Sequence, residues 1–315
     1  MTATFHSDMD NDRNIRYLPH HEIDKAKWDN CITNADNGLI YGYSLYLDHM
    51  AKHWDALVLN DYEAVMPLTW NKKYGIHYIY PPFLTAQLGV FRKNISASLL
   101  ESFLETIPKK FQYWDFNLNH GNNFQLEKFQ LYSRRNFVLD LNKPYEILNK
   151  NYSENIQRNI RKAEQAGCRA TKDFEGEKVI RMAAAQMKTY TNESAENVER
   201  FSKLYEQLYQ QKKAITYGIL SAKDELIASC IFLFSHNRVY YILVGNHPGG
   251  RTSGASHALI DSFIKDHAGE KMLLDFEGSD IPGLANFYSS FGAIEEDFSA
   301  IKLNRLPFFL KWLKK

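Results

Sequence analysis

The stretch Tyr240-Tyr241-Ile242-Leu243-Val244-Gly245-Asn246-His247-Pro248-Gly249-Gly250-Arg251-Thr252-Ser253-Gly254-Ala255-Ser256 constrains this chain more than any other. It reads as an apolar strand, a glycine-rich turn and the start of a helix. The spacing predicts a strand over 238–245 and a helix over 255–267. Amide groups in the first turn of a helix have no partner within the helix, and the helix dipole makes that end positive. Glycines let the main chain come close to a ligand, and Arg251 adds a charged donor. Together these features predict an anion site for a phosphate-bearing ligand. A plain structural loop is the competing reading.

The chain has 315 residues, enough for two domains. We place a loose tail at 1–14, one domain at 15–144 and a second at 145–315, with the boundary at Asn142-Lys143-Pro144. Thirty-eight basic residues face 37 acidic ones, a balance that excludes a basic nucleic-acid coat but not a local basic groove. Aromatic residues make up 14 %, so most of the chain must be packed. Cys31, Cys168 and Cys230 offer no disulfide framework and no C-x-x-C pair. The acidic, polar N-terminal stretch has no apolar core of a signal peptide, and no apolar run is long enough to span a bilayer. A cytoplasmic location is expected.

Along the chain, strands are expected at 14–18, 56–59, 63–70, 77–80, 113–117 and 136–141, and helices at 23–32, 44–52 and 96–107. Ser44 is expected as an N-cap, and Asn60-Asp61 as a hairpin turn. Beyond the boundary come helices at 152–167, 175–190 and 195–212, then strands at 216–221, 225–234 and 238–245. A helix at 255–267, a strand at 271–277, a helix at 282–291 and a strand at 299–303 complete the reading. The fold class is α+β, with mixed sheets flanked by helices.

Arg251-x-x-Gly254-x-Ser256 resembles the Q/R-x-x-G-x-G/A pyrophosphate loop of the GCN5-related N-acetyltransferase (GNAT) superfamily, with Ser at the third small position. The resemblance implies that residues 249–256, namely Gly249, Gly250, Arg251, Thr252, Ser253, Gly254, Ala255 and Ser256, hold the pyrophosphate of an acyl-CoA donor, with acetyl-CoA the first choice. It also implies that Val244 and Gly245 pair with the pantetheine amide. In Asn286-Phe287-Tyr288-Ser289-Ser290-Phe291-Gly292, Tyr288 stands four residues before a glycine, where the superfamily carries the Tyr that protonates the departing thiolate.

A narrower resemblance covers more of the chain. Arg158-Asn159-Ile160-Arg161-Lys162-Ala163-Glu164-Gln165-Ala166-Gly167 is similar to the R-x-x-I-R-K-A-E-K-x-G helix of FemAB-like acyltransferases, and Asp275-Phe276-Glu277-Gly278 to their D-F-x-G strand. The Lys of their following helix is replaced here by Tyr288. That family is built from two GNAT-like domains in tandem. Its peptidoglycan-type members carry a long helical-hairpin insertion, for which residues 175–212 leave no room. The resemblance therefore favours the shorter BioF2-like acetyltransferase branch.

The expected function is N-acyl transfer from an acyl-CoA thioester to an amine by direct attack. The alternatives are aminoacyl-tRNA-dependent transfer to a cell-wall or lipid-linked precursor, and a non-catalytic GNAT-fold binding protein. Glu277 is the candidate base and Tyr288 the acid. Asp275 is two residues from Glu277, which puts both on one face of a strand and makes either a substrate contact or a structural brace of the site. Arg158, Arg161 and Lys162 share a helix face, either as a clamp for an anionic substrate or as a solvated surface. The apolar, irregular 80–89 stretch, with Gln87, either lines an acceptor pocket or plugs a domain. His247 is a second candidate base. No H-E-x-x-H or equivalent appears, and no metal is expected. Residues 302–315 hold five basic residues, no acid and seven large apolar side chains; they either dock on an anionic membrane surface or pack on their own domain.

Overall fold

The computed structural model describes residues 14–189, 191, 193–248, 253–278 and 280–307. Two compact units divide the chain: 1–134 together with 297–315, and 135–296.

The first unit carries β1 (Ile15–Leu18), α1 (Lys25–Asn34), α2 (Ser44–Met50), β2 (His53–Leu59), β3 (Ala64–Lys73), β4 (Ile76–Ile79), α3 (Ala97–Thr106), β5 (Phe111–Asn117) and β6 (Leu131–Arg134). The second carries β7 (Phe137–Asp140), α4 (Tyr145–Lys150), α5 (Glu154–Gln165), β8 (Arg169–Lys172), α6 (Gly176–Met187), α7 (Ala195–Gln210), β9 (Ala214–Leu220), β10 (Leu226–Ser235), β11 (Arg238–Asn246), α8 (Ala255–His267), β12 (Leu273–Asp275), α9 (Pro282–Ser289) and β13 (Ile294–Glu295). The chain then returns to the first unit as β14 (Phe298–Asn304).

Helix starts follow local chemistry. The side chains of Ser96, Ser153 and Ser194 each accept a first-turn amide. Pro282 opens α9, where its missing N–H costs nothing. Ser44 does not cap α2: Tyr43 does, and Ser44 directs its N–H and hydroxyl to the Asp29 carboxylate at 2.7 and 2.8 Å. The expected hairpin at Asn60-Asp61 joins β2 to β3, with Asn60 in the left-handed region (φ 48°).

Each unit is one seven-stranded mixed sheet, and the two strand orders match. They run β1-β2-β3-β4-β5-β14-β6 and β8-β9-β10-β11-β12-β7-β13. The sixth place in each sheet is filled out of chain order, by the last strand of the chain in the first sheet and by the first strand of the second unit in the second. β14 lies between β5 and β6, and β7 lies between β12 and β13. The contact division falls between Arg134 and Arg135, ahead of the expected Asn142–Pro144 boundary, and the last strand sits with the first unit. Each sheet has its own core. Leu57, Met66, Phe103 and Trp114 are buried in the first, and Tyr217, Phe232, Tyr241 and Phe263 in the second. Phe232 and Phe263 stack with ring centroids 3.7 Å apart, joining β10 to α8.

Candidate functional site

The second unit opens a fork in its sheet. β11 and β12 run parallel through three pairs, Arg238↔Leu273, Val239↔Leu274 and Tyr240↔Asp275. β12 then stops, while β11 continues to Asn246 beside β10, with Cys230↔Val244 and Ser229↔Gly245 in register. Among the described residues, no strand pairs with the β12 side of β11 beyond Tyr240. Val244 is half-buried there. Gly245 lets α6 close in, since a Cβ at that position would lie 2.7 Å from the Ala183 main-chain nitrogen.

The loop after β11 is held at both feet. The Asn246 N–H donates to the Gln186 side-chain oxygen at 2.6 Å, and the His247 N–H to the Ile227 carbonyl at 3.0 Å. The Ser256 hydroxyl donates to Asn246 Oδ1 at 2.7 Å, tying the start of α8 back to the end of β11. The serine at the motif's third small position thus makes a bond that Gly or Ala could not. Gly254 caps α8 in the left-handed conformation (φ 80°), and its carbonyl accepts the N–H groups of His257 and Ala258. Ser253, Gly254, Ala255 and Ser256 therefore present the positive end of a 13-residue helix. Gly249, Gly250, Arg251 and Thr252 lie outside the described residues.

Helix α5 passes beside this loop, with the Asn159 carbonyl against Gly254. Arg158, Arg161 and Lys162 are exposed on it, and Arg158 Nη2 donates to Asn155 Oδ1 at 2.7 Å.

At the base of the fork sits Tyr288. Its ring is buried and stacks on Phe276, with centroids 4.7 Å apart and planes 18° from parallel. Burial and then the charge of Glu277 push its phenol up to about 12, so it is protonated at neutral pH. Glu277 follows Phe276 in a left-handed backbone conformation (φ 66°), uncommon for a residue with a Cβ. Its N–H donates to Asp275 Oδ1 at 2.9 Å.

Asp275 and Glu277 do not share one strand face as the spacing predicts, because β12 ends at Asp275 and the chain turns there. Asp275 is 1 % exposed, and its other oxygen takes Arg238 Nη1 at 2.6 Å. Arg238 also grips Glu296 with two bonds, 2.7 and 2.9 Å. Burial works against the Arg238 charge, but the two carboxylates outweigh it and hold its pKa above the ordinary value. This triad, with Arg238 and Asp275 buried and Glu296 partly exposed, escapes sequence reasoning because Arg238 and Glu296 stand 58 positions apart. The available signal is an arginine heading an otherwise apolar strand.

Other candidates lie elsewhere. His247 is exposed. His257 is half-buried in the first turn of α8, edge-on to Phe287 of α9 with ring centroids 5.0 Å apart. Among the described residues, no three His, Cys, Asp or Glu side chains cluster as metal ligands. Among them also, no helix is long and apolar enough to cross a membrane. Of the basic C-terminal stretch, residues 308–315 lie outside the described residues.

Gln87 belongs to the first unit. It is 1 % exposed, and its Oε1 accepts the His120 N–H at 2.8 Å. It is part of a strap that fills the first sheet's own fork, between β4 and β5. The Leu88 N–H donates to Asn117 at 3.3 Å, on the β5 edge, and Phe91 exchanges two bonds with Val65 of β3 at 2.8 and 3.1 Å. Three buried amides, Asn37, Asn119 and Asn122, converge on the Val90 carbonyl at 2.8, 3.1 and 2.9 Å. The fork is therefore filled in the first unit, while among the described residues no strand fills it in the second.

Residues 150–281 match the family model of the acetyltransferase (GNAT) domain. No curated protein matches the sequence. Among solved structures the fold is similar to that of FemX, at 11 % identity over 95 % of this chain and 100 % of that one (TM-score 0.64). It is similar to L-PGS from Bacillus licheniformis, at 11 % identity over 92 % and 95 % of the two chains (TM-score 0.53). A tandem GNAT protein from the clavulanic acid biosynthesis pathway matches at 9 % identity over 93 % and 99 % (TM-score 0.50). These matches and the paired sheets define a protein of tandem GNAT-like units. Within that class, residues 150–281 carry the match to the acetyltransferase (GNAT) domain, and the chain as a whole shares the fold of FemX.

Proposed function

We propose that this protein transfers an acyl group from an acyl-CoA thioester, acetyl-CoA first, to an amine. The carrying observation is the open β11/β12 fork, with a positive helix end at its rim and a buried, protonated Tyr288 beside Glu277 at its base. The first-turn amides of α8 suit a pyrophosphate, with Gly249, Gly250, Arg251 and Thr252 completing the loop. The bare edge of β11 at Val244 and Gly245 suits the amide groups of pantetheine.

Glu277 takes a proton from the acceptor's ammonium. The amine nitrogen bonds to the acyl carbon, the carbon–sulfur bond breaks, Tyr288 gives its proton to the sulfur, and the surplus proton left on the nitrogen passes to the Tyr288 phenolate, directly or through water. The products are an amide and a thiol. A phenol with a raised pKa is fully protonated at neutral pH, so a proton is in place for the departing sulfur. Holding both substrates in one fork supplies much of the acceleration. The acceptor class is a small-molecule or cell-envelope amine, and residues 302–315 are proposed as a contact to an anionic membrane. Asp275 shapes the site rather than touching substrate, since both its oxygens are engaged.

Calorimetry with acetyl-CoA and desulfo-CoA tests the donor. Binding of both at about equal strength supports the reading, and binding of neither sinks it. A second reading has its own support in the exposed Arg158, Arg161 and Lys162 on the helix that touches Gly254: an aminoacyl-tRNA donor. In that case affinity for tRNA falls steeply with salt and drops in Arg158→Ala. A tRNA interaction that is undetectable or indifferent to salt discards it.

A further inference from the structure

The acid and base of the proposed reaction sit at the end of a chain of buried contacts that begins 39 positions earlier in sequence, at Arg238. Glu296 grips Arg238 with two bonds, Arg238 holds one oxygen of Asp275, and the other oxygen of Asp275 accepts the Glu277 N–H. Arg238 and Asp275 are 6 % and 1 % exposed. The last bond braces the backbone of Glu277 in a left-handed conformation that is uncommon for a residue with a Cβ. The residue before it, Phe276, is stacked on Tyr288. A left-handed turn held by a carboxylate, just after a residue stacked on the acid, carries the base.

From this geometry we propose that Arg238, Glu296 and Asp275 are positioning residues that hold the Glu277 turn beside the Phe276–Tyr288 stack. The chemistry supports it. Asp275 accepts from a charged arginine on one side and an amide on the other, so it cannot rotate without losing one of them. Arg238 is fixed in turn by a bidentate carboxylate, which admits one in-plane orientation. Of the ionisable groups around Tyr288, Glu277 is the one whose charge raises it, while Tyr241 of β11 is itself affected by Tyr288.

The inference rests on the acyl-transfer reading only for its activity arm. The deciding experiment needs no donor. Full-length protein labelled with 13Cζ-tyrosine is titrated between pH 3 and 7, with the Tyr288 resonance assigned from Tyr288→Phe. An inflection in that resonance is expected as Glu277 ionises, and it disappears in Glu277→Gln. It is expected to lose more than half its amplitude in Asp275→Asn, and in Glu296→Gln if Asp275→Asn does not fold. No inflection in the wild type, or full amplitude in a folded Asp275→Asn or Glu296→Gln, overturns the proposal. If desulfo-CoA binds, the same variants lower kcat at least tenfold with donor affinity unchanged. If it does not bind, the donor reading fails and the resonance still decides the relay.

Discussion

Gly254 faces the main-chain carbonyl of Asn159 with no room between them for a methyl group. A Cβ on Gly254 would lie under 3.0 Å from the Asn159 oxygen, a backbone atom that a side-chain rotation cannot relieve. The residue is also left-handed, at φ 80°. The close contact lets α5 brace the start of α8, so the N-terminal end of that helix depends on a glycine for two independent reasons.

Gly254→Ala is therefore expected to destabilise the protein by about 2–3 kcal/mol, from the left-handed penalty and the overpacking together. Thermal unfolding reads this as a fall of several degrees in Tm. Calorimetry should also show donor affinity down at least tenfold, because the first-turn amides of α8 are displaced.

Tyr288→Phe keeps the stack on Phe276 and removes the phenol. We expect kcat to fall by about 10²-fold, the usual contribution of a general acid. Donor affinity should stay within a factor of two, since the loop at α8 is untouched. Equal losses in affinity and kcat would assign Tyr288 to binding instead.

His257 gives a pH signature. Burial lowers its pKa from 6.5, so the folded state prefers the neutral ring. The unfolded chain then binds the extra proton first as pH falls through about 6.5. Stability from this group is full above that pH and is lost on the way down to the lower folded pKa. Urea unfolding at pH 7.5 and 5.5 should show a smaller drop in His257→Phe than in the wild type.

The filled fork of the first unit predicts one donor per chain. Isothermal titration should give a stoichiometry near one. Asn122→Ala removes both a donor to the Val90 carbonyl and the acceptor of the Val90 N–H. It should cost about 2 kcal/mol, mainly from stranding the buried Val90 N–H, since Asn37 and Asn119 still donate to the Val90 carbonyl. Donor affinity should not change.

The end of β11, the helix that starts at Ala255 and the helix that carries Tyr288 were legible because each is local: an apolar run, a glycine-rich turn and a proline-led amphipathic stretch within about 50 residues. The α+β class followed from the alternation of periods. What could not be read was pairing at a distance. Arg238 looks like an ordinary strand opener until Asp275 and Glu296 are brought to it. The alternation of 299–303 announces a strand, yet nothing in Phe298–Asn304 says which sheet receives it. The short elements α4, β6, β8 and β13 were missed because four to six residues, or two, carry too little periodicity. Asp275 and Glu277 were assigned to one face because spacing of two implies a strand, and no pattern warned that the strand stops between them.

The return of β14 to the first sheet has a temporal meaning. Residues 135–296 contain every strand of the second sheet, so that sheet can be completed as soon as they leave the ribosome. The first sheet cannot. Its β5 and β6 are made early, but the strand that belongs between them is β14, synthesised after the whole second unit. Domains usually mature in the order of synthesis. Here the half that is born first must wait with an open seam, and the half that is born second finishes before it.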